Sequence, residues 1–373
     1  MKFSILFLHL PVFYAFKTPT SWVELNEKKC TSCAFSMRKH TFQPLYTVKK
    51  ERDTFTKIRG FQKLIRSESI LPTSLLCFSG GFIVNPSIIG LLQTPSFIVS
   101  TVNTLLIMSS SMIVNDIFDI ENDRINSPHR VLVTGDVSIR EAFMYLIGLL
   151  SLTEYLNIRF LSPHLQSMVH LSIIHILLYT PIYKRIPFLK NIFCAIMVSF
   201  SLFFTGLSAT KGLIELNPGF SILSVTLSIL FFGSWYNEVL LDMTDVEGDR
   251  ENVIYTVPVL YGLKNTWFFS GFLLFFNILS NTLSLSYLFD RRIGFILPLI
   301  FSPIVYDFLS ISRESFSVES IRTASKNTRK PLIYLVVLLC GLSLFNTGFI
   351  LSLEGISISN NIDWLNIAIT LFL

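Results

Sequence analysis

Apolar stretches of about 20 residues, each closed by a short polar segment, follow one another from residue 69 to residue 353. That length is what a helix needs to cross a hydrocarbon core. The pattern predicts nine spans, at 69–91, 96–118, 138–157, 164–182, 189–209, 218–240, 266–288, 294–311 and 331–353. The expected fold is therefore an all-α integral membrane bundle of about nine transmembrane helices, not two soluble domains. Residues 61–355 form the polytopic domain in this reading. Residues 1–60 are a leader and basic linker, and 356–373 an apolar tail able to lie on the membrane surface.

Charge sets the orientation. Loops after even-numbered spans, together with Arg140 and Lys190 at the starts of the spans that follow, carry thirteen Lys and Arg residues, and loops after odd-numbered spans carry four. By the positive-inside rule the even loops and the basic segment before the first span share the inner side. Composition agrees with a membrane chain: 51% hydrophobic, 35 Phe, only 15% charged, where soluble domains average about 25% charged. The net charge of +5 is spread over termini and loops, so nothing points to nucleic acid.

Spans two and six end on the same acidic spacing. Asp116, Asp119 and Asp123, then Asp242, Asp245 and Asp249, both read D-x-x-D-x-x-x-D-R, 126 positions apart. On a continuous helix these positions share one face. The repeat suggests a bundle in two repeat-like halves, each with an acidic motif on the inner side. Carboxylates at a membrane boundary are costly unless paired. Two facing triads would repel without cations between them, and hard divalent cations, Mg²⁺ bridging a diphosphate above all, suit such oxygen ligands. The plainer reading is that the acids merely end spans and solvate loops.

The amino terminus carries one early Lys, an apolar run to Phe16 and a small residue, Ala15, a signal-peptide pattern. Basic, Ser- and Thr-containing sequence follows, with few acids. Together they resemble the bipartite leader of complex plastids, so a plastid membrane is favoured, with other endomembranes or a mitochondrial membrane as alternatives. Five cysteines give no disulfide framework, and Cys30-x-x-Cys33 lacks a second pair.

Three motifs in order carry a resemblance. The first acidic signature begins at Asn115 and continues through Ile125-Asn126-Ser127-Pro128-His129-Arg130 to Gly135. The second continues through Glu247-Gly248-Asp249-Arg250 to Pro258-Val259 and Gly262. Between them lies Tyr179-Thr180-Pro181-Ile182-Tyr183-Lys184-Arg185, with Asn191 downstream. This set resembles the UbiA superfamily of intramembrane prenyltransferases over roughly residues 62–350. Val131 and Thr134 depart from the family's Pro and Ser; neither removes a ligand. The D-x-x-D-V-E-G-D-R form is similar to the lineage that acts on homogentisate, chlorophyllide or geranylgeranylglyceryl phosphate. The middle Asp245 tilts the reading toward an aromatic or glyceryl acceptor.

The resemblance implies a Mg²⁺-dependent enzyme. It would transfer a polyprenyl group from a prenyl diphosphate to a lipophilic or aromatic acceptor, among membrane lipid. Asp119, Asp123, Asp245 and Asp249 would hold the metal, with Asn115, Asp116 and Asp242 beside them. Arg130, Lys184, Asn191 and Arg250 would bind the diphosphate, and Tyr179 and Tyr183 would line the substrate pocket. Neutralising a leaving pyrophosphate is electrostatic catalysis, and an apolar bundle keeps water from the allylic cation. Plainer roles compete: Lys184, Arg185 and Lys190 as positive-inside residues, Arg124 and Arg250 as partners of nearby acids, the tyrosines as interfacial anchors. The rival function is a transporter that moves protons or cations through the clustered acids. A soluble terpene cyclase also uses D-x-x-D, but a mean hydropathy of +0.57 argues against one.

Overall fold

The computed structural model describes residues 54–210, 219–251 and 254–353, and helices and turns account for their secondary structure. Most of the 1–60 leader, Cys30, Cys33, Lys211 and the 356–373 tail lie outside the described residues. In chain order the helices are α1 (Thr54–Leu64), α2 (Ile70–Val84), α3 (Ile88–Leu92), α4 (Pro95–Phe118), α5 (Ile120–Asn126), α6 (Val131–Thr134), α7 (Ile139–Phe160) and α8 (Pro163–Tyr179). There follow α9 (Leu189–Ala209), α10 (Gly219–Thr244), α11 (Val246–Glu251), α12 (Val257–Leu288), α13 (Arg291–Arg313), α14 (Val318–Asn327) and α15 (Arg329–Leu353).

A helix stands at each of the nine expected positions. Six are long and apolar enough to cross a membrane: 67–84, which includes α2, and α4, α9, α10, α12 and α13. α8 has only 17 residues, and the apolar stretch in α15 is Tyr334–Phe345. Gly262, at φ +80°, interrupts α12, so the expected span 266–288 is the part beyond that break. α1 and the amphipathic α14 were not among the expected elements. α1 enters the packing before residue 61: Gly60 is so close to Val137 that an added Cβ would lie 2.7 Å from its methyl.

Local sequence starts the helices. Pro95 and Pro163 occupy first turns, where a missing N–H costs nothing. Ser138 and Glu141 form a reciprocal capping box on α7, and Asp290 caps α13 by accepting from Arg292 N–H. Packing then arranges them. α10 lies against α9 and α12, α9 against α2, and α4 against α7. The main core gathers Leu223, Ile229, Tyr236 and Leu240 of α10 with Leu273, Leu274, Phe301 and Phe308. Leu71, Ile89, Phe295 and Leu299 are exposed on the outside, as suits helices that present apolar side chains to lipid and satisfy their backbone internally.

Candidate active site

Each acidic signature straddles a helix break, which corrects the expectation of one continuous helix. α4 ends at Phe118, Asp119 leaves helical geometry at φ −96° and ψ 8°, and α5 begins at Ile120. In the second motif Asp245 stands between α10 and α11. The middle Asp is the break in both. Hydrogen bonds carry the chain across it: Asp119 N–H to Asn115 O at 2.9 Å, Asp123 N–H to Asp119 O at 2.8 Å, and Asp249 N–H to Asp245 O at 2.8 Å. The carboxylates thus stay on neighbouring turns.

The two breaks open onto one cavity of about 1160 Å³. Asn115, Asp119, Asp123, Asp242, Asp245 and Asp249 line its polar end, with Arg130, Lys184, Tyr179 and Tyr183. Further along the same helices the wall becomes Ile107, Val169, Met197, Phe204 and Ile229. Ile229 precedes Asp242 by 13 positions, so this apolar floor lies about 20 Å from the acidic end. Tyr183 stacks on Phe193 at 4.0 Å between ring centroids.

The remaining expected site residues lie elsewhere. Asp116 is buried behind the wall, held by Arg130 and by Arg66 at 3.5 Å. Asn191 is buried too, and its amide donates to Asp242 Oδ2 at 2.9 Å. Arg250 is exposed and is not among the lining residues.

Basic side chains from other segments answer the repulsion between the triads. Lys184, in the turn after α8, pairs with Asp119. Arg130 pairs with Asp116, and its Nε is 3.8 Å from Asp123. Lys190 Nζ is 2.5 Å from Asp242 Oδ1. Asp249 accepts from Thr256 Oγ1 at 3.0 Å. The cations expected between the triads thus include ammonium and guanidinium groups of the chain itself. Burial pushes the Asp123 carboxyl above the ordinary carboxylate range against the pull of Arg130. Burial likewise raises Asp249, opposed by Lys190 and Thr256.

Among the described residues no three His, Cys, Asp or Glu side chains are grouped to hold a metal ion. The donors nevertheless fit a hard divalent cation. They are carboxylates and one amide, oxygen ligands throughout, gathered around one cavity end where the chain already places ammonium and guanidinium groups against them.

Three lining residues escaped the sequence reading: Arg66, Glu238 and Lys190, the last taken for an orientation marker. Glu238 had a signal, an acid inside an apolar span one turn before Asp242. Arg66 had none, being 50 positions from its partner.

Residues 73–315 match the UbiA prenyltransferase family. The chain belongs to that family. Membership meets the expectation drawn from the three motifs and makes the protein a multi-pass membrane prenyltransferase. Similar proteins include the digeranylgeranylglyceryl phosphate synthase of Sulfurisphaera tokodaii, 26% identical over 282 residues, covering 74% of this chain and 94% of that protein. The enzyme of the same name from Methanococcus aeolicus is 29% identical, covering 58% and 74%. Among solved structures, one described as a digeranylgeranylglyceryl phosphate synthase in membranes has a TM-score of 0.59 at 20% identity, covering 76% of this chain and 97% of that one. A UbiA homologue from Archaeoglobus fulgidus bound to GPP and Mg²⁺ has a TM-score of 0.55 at 19% identity, covering 76% and 98%. These likenesses establish the family's helical fold.

Proposed function

We propose that this protein transfers a polyprenyl group from its diphosphate to a lipophilic acceptor within the membrane, with Mg²⁺ as cofactor. One observation carries the reading. A single cavity has alternating carboxylates and cations at one end and an apolar floor at the other, which matches a molecule with a diphosphate head and a hydrocarbon tail. Asp119, Asp123, Asp245 and Asp249 would hold the metal, with Asn115, Asp116 and Asp242 in support. The metal, when bound, neutralises charge on the leaving pyrophosphate. Lys184 and Arg130 donate to phosphate oxygens. For Asn191 we propose an indirect part, steadying Asp242, and for Arg250 a contact made only when donor binds. Tyr179 and Tyr183 wall the pocket where the prenyl group begins.

The archaeal relatives' names favour a glyceryl phosphate hydroxyl as acceptor over an aromatic ring. Those relatives do not bear on a plastid location, which rests on the leader sequence alone. The transporter reading is weaker, because the acids gather at one end of the cavity with basic partners rather than forming a path through the bilayer.

The test is purified protein with labelled geranylgeranyl or phytyl diphosphate, Mg²⁺ and a panel of glyceryl phosphate and aromatic acceptors. Prenylated product that disappears on chelation is expected. No product with any pair, together with cation flux in proteoliposomes, would overturn the proposal in favour of transport.

A further inference from the structure

A second polar layer lies one turn deeper in the cavity than the ion pair of Lys190 and Asp242. Cys194 follows Lys190 by four residues on α9, and Glu238 precedes Asp242 by four on α10, so each is displaced by about 6 Å toward the apolar floor. The Cys194 thiol donates to Tyr179 Oη at 3.2 Å, and Glu238 enters the cavity lining beside them. All three side chains line the cavity.

This layer needs an explanation that the diphosphate end does not supply. An acid within a membrane-spanning helix is expensive. Lys190, the cation that acts on Glu238, is already committed to Asp242 at 2.5 Å. The position of Glu238 is informative as well. A donor seated with its diphosphate at the acidic end and its tail on the floor passes its first carbon through this layer. The acceptor must meet that carbon there, and must lose a proton as it does so.

We propose that Glu238 is the catalytic base that receives the acceptor's proton, an inference that rests on the prenyl-transfer function above. The donor's C1–O bond breaks, and its electron pair leaves with pyrophosphate. A lone pair of the acceptor hydroxyl forms the new bond to C1. The hydroxyl proton passes to the Glu238 carboxylate, which shares the cavity lining with Tyr179 and Cys194. The charged groups around it are Lys190 of α9 and Asp242 of α10.

The experiment separates ionisation from capture, using the full chain in lipid nanodiscs with Mg²⁺, geranylgeranyl diphosphate labelled with ¹⁸O at the bridging position, and geranylgeranylglyceryl phosphate as the hydroxyl acceptor. Scrambling of the label into non-bridging positions reports C1–O cleavage and return; product formation reports transfer. E238Q should keep scrambling and donor KM within about twofold of wild type while transfer kcat falls about 100-fold or more, and E238D should recover part of it. Wild-type transfer in E238Q would overturn the proposal. So would parallel loss of scrambling and transfer, the result expected if Glu238 only braces Lys190 and Asp242, or failure of both variants to fold. If the wild type neither scrambles nor transfers, the prenyl-transfer reading itself falls, and this inference with it.

Discussion

Lys190, in the first turn of α9, and Asp242, in the last turn of α10, meet in the cavity lining with 2.5 Å between Nζ and Oδ1. Asn191 holds the other carboxylate oxygen at 2.9 Å. This contact ties the helix that carries the second acidic motif to the helix that follows the Lys184 turn. Removing one partner of such a pair leaves a buried charge, at a cost of about 3–5 kcal/mol, whereas removing both charges costs far less. Lys190→Met should therefore lower the thermal midpoint strongly, and adding Asp242→Asn should restore much of it. Additive losses in the double variant would show that the two residues are not coupled.

Asp119 and Asp245 are the breaks in their helices, and both line the cavity. Asp119→Ala and Asp245→Ala should each reduce turnover about 100-fold or more, since a lost ligand to a bridging metal removes several kcal/mol of charge stabilisation. Chelation of Mg²⁺ should abolish turnover of the wild type. Assays at saturating donor and graded Mg²⁺ decide this, and near-normal rates in both variants would contradict the metal assignment.

Lys184 and Arg130 pair with Asp119 and Asp116 in this structure, yet both also line the cavity. A charge-assisted bond to a phosphate oxygen is worth roughly 1.5–3 kcal/mol. Lys184→Met should weaken donor binding by about one to two decades while the Mg²⁺ requirement persists. Arg130→Lys should also be costly, because a point charge cannot replace a planar fork. Unchanged donor affinity and rate in both variants would reduce these residues to structural counter-ions.

Gly80 sits where α2 crosses α9. A Cβ there would lie 2.3 Å from the Leu202 carbonyl oxygen, which is backbone and cannot swing aside. Gly80→Ala should destabilise the fold by about 1–3 kcal/mol through overpacking. Gly148 on α7 has nothing within 4 Å of the same position, so Gly148→Ala is the control and should leave the melting temperature unchanged or slightly raised. Equal effects from the two substitutions would argue against the close crossing.

Much of this protein is legible from the chain alone. Burial in lipid is a local, additive property of about 20 consecutive side chains, so hydropathy located a helix at each expected position. The two acidic motifs repeat a spacing and the Tyr179–Lys184 segment lies between them, so the family and most of the cavity's acidic lining could be read without coordinates. Pairing and breakage were not readable in the same way. Nothing local says that α4 stops at Phe118, that Gly262 interrupts α12, or that Arg66 reaches Asp116 across 50 positions. Lys190 looks like any other cation at the inner end of a span until α9 and α10 pack together. Glu238 looks like a stray charge until Cys194 and Tyr179 come beside it. Hydrophobic transfer depends on a residue's neighbours along the chain, whereas an ion pair or a proton acceptor depends on which helix lies opposite, and only the packed bundle decides that.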